Sequence, residues 1–379
     1  MKNNKVSFFL PSFGAGGAER ALINIFKGLN KDSYTLSLVL VEKKGDFIRE
    51  LPSGLDIISF ETRSIIRIFF KLRSFFLSEK PDIFISVFPR LSVLAVLAKI
   101  LSKSDTKVVI IEHSVFSSTA ANARTFFRRI IAKFVFPILM RVLYGHAQQV
   151  ICVSGGVAND ISKITGISRN KIEVIHNPII GSEIRSLAQD NVSFSWISER
   201  REPIILAVGR LVKAKDYPTL LRAFSLIIRE IPAKLIIIGE GEEKIELEKF
   251  VIKLNIADSV AFLGFQSNPY KYMAKSSVFV LSSIQEGFPT VIAEAMASGV
   301  PVVSTNCKSG PSEIIKDGEN GLLVPVGDSK TLSKAILKLL NNLDLGRTIS
   351  ENGKKTSENF SINIIVRQYE EIINKLLKK

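Results

Sequence analysis

Cysteine and histidine are scarce in this chain. Two cysteines and three histidines stand among 379 residues. Cys152 and Cys307 both sit in apolar, strand-like stretches, which reads as two buried free thiols and excludes a disulfide framework. His113, His146 and His176 are dispersed and form no metal-ligand cluster with them. No Asp-x-Asp pair offers itself to a nucleotide-bound divalent cation. A Gly-x-Ser-x-Gly elbow and a phosphate loop ending in Gly-Lys-Ser/Thr are also missing. The expectation is an enzyme with no metal and no organic cofactor. No run of 18 uncharged apolar residues appears, so no spanning helix is expected. The N-terminus enters a strand at Val6 without the layout of a signal peptide. A cytoplasmic location is expected from these absences.

What is present is globular. Hydrophobic residues make up 46% and charged residues 23%. The mean hydropathy of +0.23 is high for a soluble chain. The length fits two domains. The net charge of +15 is uneven: the first 180 residues hold 25 Lys and Arg against 13 Asp and Glu. The first half is therefore expected to face something acidic.

Apolar runs at Val6–Leu10, Thr35–Val41, Ile83–Val87, Lys107–Glu112, Gln149–Val153 and Ile172–Ile175 alternate with helical patterns such as Ala18–Leu29 and Val93–Leu101. After a polar stretch at 181–203, read as a linker, a second alternating set follows. Its strands are Ile204–Val208, Lys234–Ile238, Val260–Leu263, Val278–Leu281 and Val302–Ser304. Alternation of this kind predicts an α/β fold with parallel, doubly wound sheets. The predicted domains are Rossmann-like, over 1–185 and 195–358. Apolar residues at helical spacing (Ile365, Tyr369, Ile372, Ile373, Leu376) predict a terminal helix within 360–379.

The chain's densest chemistry lies in Glu286-Gly-Phe-Pro-Thr-Val-Ile-Ala-Glu294. Pro289 and Gly299 frame a short helix at about 289–298, with strands on either side. A helix start carries unpaired N–H groups and partial positive charge, which suits phosphate. Carboxylates on either side suit the hydroxyls of a sugar and a ribose. In Gly209-Arg210-Leu-Val-Lys-Ala-Lys215-Asp216, Arg210 offers a fork of donors and Lys215 a point charge to a diphosphate. The competing reading is an ordinary solvated basic loop, and Lys213 is assigned to it. Gly14-Ala-Gly16-Gly17-Ala-Glu19-Arg20 opens the first helix. It reads as a dinucleotide fingerprint with Glu42 as ribose acid, as a glycine loop for phosphate or acceptor, or as a tight turn. Glu19 stands where the fingerprint needs its third glycine. His113 ends a buried strand, where α/β folds place ligands, although a structural role is the commoner fate of such a residue.

With these motifs placed, nearly the whole chain resembles glycosyltransferase family 4, the retaining enzymes of GT-B architecture. Gly209-Arg210 with Lys215, Gly239-Glu240-Gly241, Phe262-Leu263-Gly264 and the paired glutamates follow the family's order. So do Gly16-Gly17-Ala18-Glu19-Arg20, His113, Val153-Ser154 and His176-Asn177-Pro178. The resemblance implies two Rossmann-like domains facing a cleft, with a C-terminal helix crossing back to the first. It implies that Arg210 and Lys215 hold the diphosphate and that Glu286 binds donor-sugar hydroxyls with Gly287, Phe288, Pro289 and Thr290. Glu294 would take the ribose, Phe265 would lie near the base, His113 beside the sugar, and Gly16 and Gly17 at phosphate and acceptor. Arg210, Lys215, His113 and Glu286 would form the catalytic set. Asp216 departs from the glycine often found after the lysine.

The implied reaction is transfer of a hexose or N-acetylhexosamine from a nucleotide-diphosphate sugar, expected to be a UDP-sugar, to a glycan on a lipid carrier. The implied setting is assembly of polysaccharide, capsule or lipopolysaccharide. The alternatives are a nucleotide-sugar epimerase of similar fold and a non-catalytic subunit. Two basic, aromatic stretches, 63–76 and 124–136, read as helices lying on an anionic membrane or as core helices with a basic outer face. A peripheral place on the inner face of the plasma membrane is the corresponding expectation. No nucleic-acid motif accompanies the charge.

Overall fold

The computed structural model describes residues 4–14, 16–117, 134–199 and 201–378. The stretch expected at 124–136 falls mostly outside them. The chain divides into two compact units, residues 1–178 with 362–379, and residues 179–361.

The first unit carries seven parallel strands in the order β3-β2-β1-β4-β5-β6-β7. These are β1 (Asn4–Leu10), β2 (Tyr34–Leu40), β3 (Asp56–Ser59), β4 (Ile83–Val87), β5 (Lys107–Glu112), β6 (Gln149–Cys152) and β7 (Ile172–Val174). Its helices are α1 (Gly17–Gly28), α2 (Ile65–Ser78), α3 (Pro89–Ser102), α4 (Phe136–Tyr144) and α5 (Gly155–Thr165). The central strands β1, β4 and β5 are apolar on both faces because helices cover both. Val6, Phe8 and Leu10 pack with Leu22 and Phe26 of α1. Phe9 points the other way, to Leu72, Phe75 and Phe76 of α2 and Leu91 of α3.

The second unit has six parallel strands in the order β10-β9-β8-β11-β12-β13. They are β8 (Ile204–Val208), β9 (Lys234–Ile238), β10 (Val260–Phe262), β11 (Val278–Leu281), β12 (Val302–Thr305) and β13 (Leu322–Val324). Its helices are α6 (Glu183–Leu187), α7 (Ser195–Glu199), α8 (Tyr217–Ile227), α9 (Lys244–Lys253), α10 (Tyr270–Met273), α11 (Thr290–Ser298), α12 (Pro311–Ile314), α13 (Ser329–Asn341) and α14 (Leu343–Ser357). The last helix, α15 (Ile362–Leu377), belongs to the first unit, where Ile365, Val366, Tyr369 and Ile373 enter the core beside α1.

Three differences from the sequence reading have physical causes. Strand β3 is a half-exposed edge with little apolar character, and β13 is three residues long, so neither stands out as a run. The stretch read as a linker holds α6 and α7, which bury Ile184 and Ile197. The second unit begins at Ile179 because the N–H groups of Ile179 and Ile180 bond the Phe360 carbonyl, at 2.8 and 3.0 Å.

Candidate functional site

In each sheet the strand order reverses direction beside its first strand, between β1 and β4 and between β8 and β11. Open α/β sheets bind ligands at the carboxyl ends of the strands at such a switch point. In the second unit the loops leaving β8 and β11 are laced together there. The Ile284 N–H donates to the Ala214 carbonyl at 2.9 Å. The Ser282 hydroxyl donates to the Lys215 carbonyl at 2.8 Å.

This stitching delivers two charged side chains to one point. The Lys215 ammonium lies 2.5 Å from Glu286 Oε1, and both side chains are largely covered, at 18% and 12% exposure. The Ser283 hydroxyl donates to the same oxygen at 2.7 Å. Oε2 accepts no hydrogen bond from a described residue. A half-buried ion pair is favourable only when its hydrogen bonds are satisfied, and Ser283 supplies one of them. The Thr305 hydroxyl holds the Ser283 carbonyl at 2.6 Å, and the Ser309 hydroxyl holds the Gly287 carbonyl at 2.8 Å. Burial, then the Glu286 charge, push the Cys307 thiol up to about 11, so Cys307 is a neutral neighbour of the carboxylate.

Helix α11 starts directly after this loop. Pro289 is its N-cap, and Gly299 closes it in the left-handed conformation at φ 80°. Phe288 is buried with its ring 5.4 Å from Phe360. Gly310, at φ 93°, leaves room for the Pro289 ring, which a Cβ there would meet at 2.3 Å. Gly287 and Thr290 flank these residues, partly covered, and Glu294 is half-buried on the same helix. The structure therefore brings Lys215, Glu286 and the start of α11 together.

Arg210 is exposed on the β8 loop, with no side-chain hydrogen bond or ion pair to a described residue. Lys213 is also exposed. Phe265 is 63% exposed at the end of β10. The Gly239-Glu240-Gly241 motif serves backbone packing. A Cβ on Gly239 would lie 2.0 Å from the Gly209 carbonyl oxygen, and one on Gly241 2.2 Å from that of Leu211. Asp216 adopts φ 45°, a conformation natural to glycine and tolerated by aspartate. Its carboxylate accepts from the Thr219 hydroxyl at 2.6 Å.

In the first unit, Gly16 caps α1 and Gly17 begins it. Arg20 is held by Glu50 and lies 4.0 Å over the Phe47 ring, so it is a structural member of its motif. Glu42, the candidate ribose acid, is taken by Arg63 at 2.9 Å. His113 follows β5 with both ring nitrogens covered and without a hydrogen-bond partner among the described residues. Burial lowers its pKa to about 4, so the imidazole is neutral. Its neighbour Phe88, with ring centroid 6.0 Å away, ends β4 at φ 74°. A bulky residue at positive φ stores strain, a feature that gathers at functional sites. Beside His113, Glu112 is fully buried. It accepts from the Tyr144 hydroxyl through Oε1, and among the described residues Oε2 has no partner. Burial pushes its carboxyl up to about 8. Among the described residues no group of three metal-ligating side chains exists.

Ser283, Thr305 and Phe88 were not singled out from the sequence. Ser283 had a signal in its position three residues before Glu286. Thr305 had one at the carboxyl end of a buried strand. Phe88 had none, because positive φ is unexpected for phenylalanine.

The profile of the family Glycosyltransferase Family 4 matches residues 15–180. That of Glycosyl transferases group 1 matches residues 188–356. A Campylobacter jejuni protein, N-acetylgalactosamine-N,N'-diacetylbacillosaminyl-diphospho-undecaprenol 4-alpha-N-acetylgalactosaminyltransferase, is 30% identical over 94% of this chain and 95% of its own. The Staphylococcus aureus capsular polysaccharide biosynthesis glycosyltransferase CapM is 27% identical over 100% and 99%. Among solved structures, Anabaena HepE in complex with UDP and glucose superposes with a TM-score of 0.78 at 21% identity, covering 98% of this chain and 100% of that one. A Rickettsia africae glycosyltransferase reaches 0.80 at 21% identity and covers both chains fully.

Proposed function

The chain belongs to glycosyltransferase family 4, with its two-domain Rossmann-like GT-B fold, and on that premise we propose that it transfers an N-acetylhexosamine or hexose from a UDP-sugar to a lipid-linked glycan. The observation that carries this reading is the Lys215–Glu286 pair at the mouth of α11. One N–H of the ammonium meets Glu286, which leaves two for diphosphate oxygens. Oε2 of Glu286 is left to accept from a sugar hydroxyl. Arg210 and the N–H groups opening α11 add positive potential where charge grows on the leaving group. Glu294 takes the ribose and Phe265 offers a face to the base. Within the first unit, Gly16, Gly17 and His113 are the candidates of the family pattern.

The bond from the sugar's anomeric carbon to the diphosphate oxygen breaks. A bond from the acceptor hydroxyl oxygen forms on the same face, and the hydroxyl proton passes to the departing diphosphate. Retention then needs no carboxylate nucleophile, and the paired-carboxylate geometry of retaining glycosidases does not apply. No metal takes part in this scheme. Two relatives named for N-acetylgalactosamine transfer onto diphospho-undecaprenol glycans match nearly the full chain, which favours an N-acetylhexosamine and a lipid diphosphate. The setting is surface polysaccharide, capsule or lipopolysaccharide assembly at the inner face of the plasma membrane.

The test is incubation with UDP-N-acetylgalactosamine, UDP-N-acetylglucosamine and UDP-glucose, with and without a polyprenyl-diphosphate glycan. The expected product is the acceptor enlarged by one sugar, in the donor's anomeric configuration by NMR. Conversion of the donor sugar without acceptor would identify an epimerase. A folded protein that binds UDP and transfers nothing to any such acceptor would leave only the non-catalytic reading.

A further inference from the structure

Helix α2 is apolar on two sides. Ile68, Leu72, Phe75 and Phe76 are buried against the sheet. Ile66, Phe70 and Leu77 share a second stripe by helical spacing, and they are 69%, 59% and 46% exposed. The outer face of a surface helix is ordinarily polar, so this stripe is unexplained by the fold of the unit.

Its charge is one-sided. Ile65–Ser78 contains no carboxylate and carries Arg67, Lys71 and Arg73. Lys71 turns inward and donates to the Phe60 carbonyl at 2.7 Å. Arg67 and Arg73 are exposed and meet no carboxylate among the described residues. Helix α3 packs against both α2 and α4. On α4 the pattern returns: Ile138, Leu139 and Val142 are 63%, 42% and 59% exposed, with Arg141 between them and again no carboxylate.

We propose that the outer faces of α2 and α4 dock on an anionic lipid bilayer, with Ile66, Phe70 and Leu77 entering the headgroup boundary and Arg67 and Arg73 meeting lipid phosphates. Exposed apolar side chains interleaved with unpaired cations are the composition of a helix that lies in a membrane interface. A protein partner would more often meet such a stripe with a rim of mixed charge, and α2 has no acid to offer. Most of the chain's surplus charge lies in this unit, which adds longer-range attraction. No described helix is long and apolar enough to cross a membrane, so the attachment is interfacial. The proposal deepens the reading of a lipid-borne acceptor, yet it is measured by binding alone.

The experiment is co-sedimentation of the full chain with phosphatidylcholine vesicles and with vesicles that also contain phosphatidylglycerol. Binding is expected only to the second kind, and it should weaken as salt rises, because screening acts within about 8 Å at physiological ionic strength. Combining Ile66→Gln, Phe70→Gln and Leu77→Gln should lower the partition coefficient about ten-fold or more. Combining Arg67→Gln and Arg73→Gln should lower it about 25-fold, at roughly five-fold per cation. All five side chains are exposed, so an unchanged thermal melt and unchanged transfer to a water-soluble acceptor are expected. Equal binding to both vesicle types, or undiminished binding of the triple variant, overturns the proposal. So does a dimer on a sizing column that the triple variant dissolves. If the vesicles bind but no sugar is transferred to any acceptor, the enzymatic reading fails and the surface stands.

Discussion

Glu286 has two oxygens in different circumstances. Oε1 takes Lys215 and Ser283, while Oε2 keeps its accepting capacity. Lys215→Ala should lower turnover by about 100-fold, the scale of losing a donor aimed at developing charge; a near-unchanged initial rate in the folded variant would sink the assignment. Ser283→Ala removes only the hydroxyl that orients the carboxylate. It should weaken UDP-sugar binding while leaving affinity for UDP alone unchanged in calorimetric titration, and Ser283→Thr should restore it. A parallel loss of both affinities would mark Ser283 as merely structural. Next to His113, the buried pair of titrating residues gives opposite pH slopes. Glu112 holds its proton up to about 8 when folded, whereas an unfolded glutamate loses it near pH 4.3. The unfolded state therefore binds fewer protons across that window, and stability falls as pH rises through it. His113, lowered to about 4, acts in reverse: its contribution is complete above the unfolded value near 6.5 and is lost as pH falls toward 4. Glu112→Gln should flatten the decline in Tm between pH 6.5 and 8 and steepen the loss of Tm below 6.5, where the two slopes oppose each other in the parent. A variant that still declines as steeply as the parent would refute this account.

At the scale of elements, α15 was legible to its ends. The apolar spacing of Ile365, Tyr369, Ile373 and Leu376 is that of a one-faced helix, and all four are buried. The close approach that seats it was not legible. Gly28 has no side chain because a Cβ there would lie 2.8 Å from Val366 Cγ2. Gly28→Val should separate α1 from α15 and cost about 1–3 kcal/mol by overpacking, read as a lower urea midpoint. Tyr369, by contrast, buries its hydroxyl with no partner among the described residues. Tyr369→Phe should leave the midpoint equal or higher, since an unpaired buried hydroxyl costs about 1–3 kcal/mol. The glutamate loop and α11 were readable because Pro289 and Gly299 punctuate them. The two edge strands were not, β3 being half-exposed and β13 only three residues long, and α6 and α7 hid in a polar stretch with one buried isoleucine each. The ion pair of Lys215 with Glu286 lay beyond sequence reasoning, since 71 residues separate its members. The hydrogen bonds that lace the loops of β8 and β11 set that meeting.

At the scale of the whole molecule, both units repeat one strand order, and the likeness continues into their chemistry. Each presents a glycine-led loop after its first strand at the switch point. Their charges differ, with most of the surplus in the first unit. UDP should raise the melting transition of the second unit selectively, by about 2.7 kcal/mol of stabilisation at a hundredfold excess over Kd. Scanning calorimetry of the full chain would show whether the first unit's transition stays in place.

The membership of α15 in the first unit has a consequence for synthesis. A ribosome releases the strands of that unit first, yet the helix that closes one side of its core is made only after the whole of the second unit. The apolar residues that Ile365, Val366, Tyr369 and Ile373 join in that core therefore lack this part of their cover while all of residues 179–361 emerges. The second unit, contiguous in sequence, can finish folding before the first is complete. The nascent chain thus passes through a stage with one mature half and one half exposing an apolar seam, the stage at which a chaperone would have most to hold.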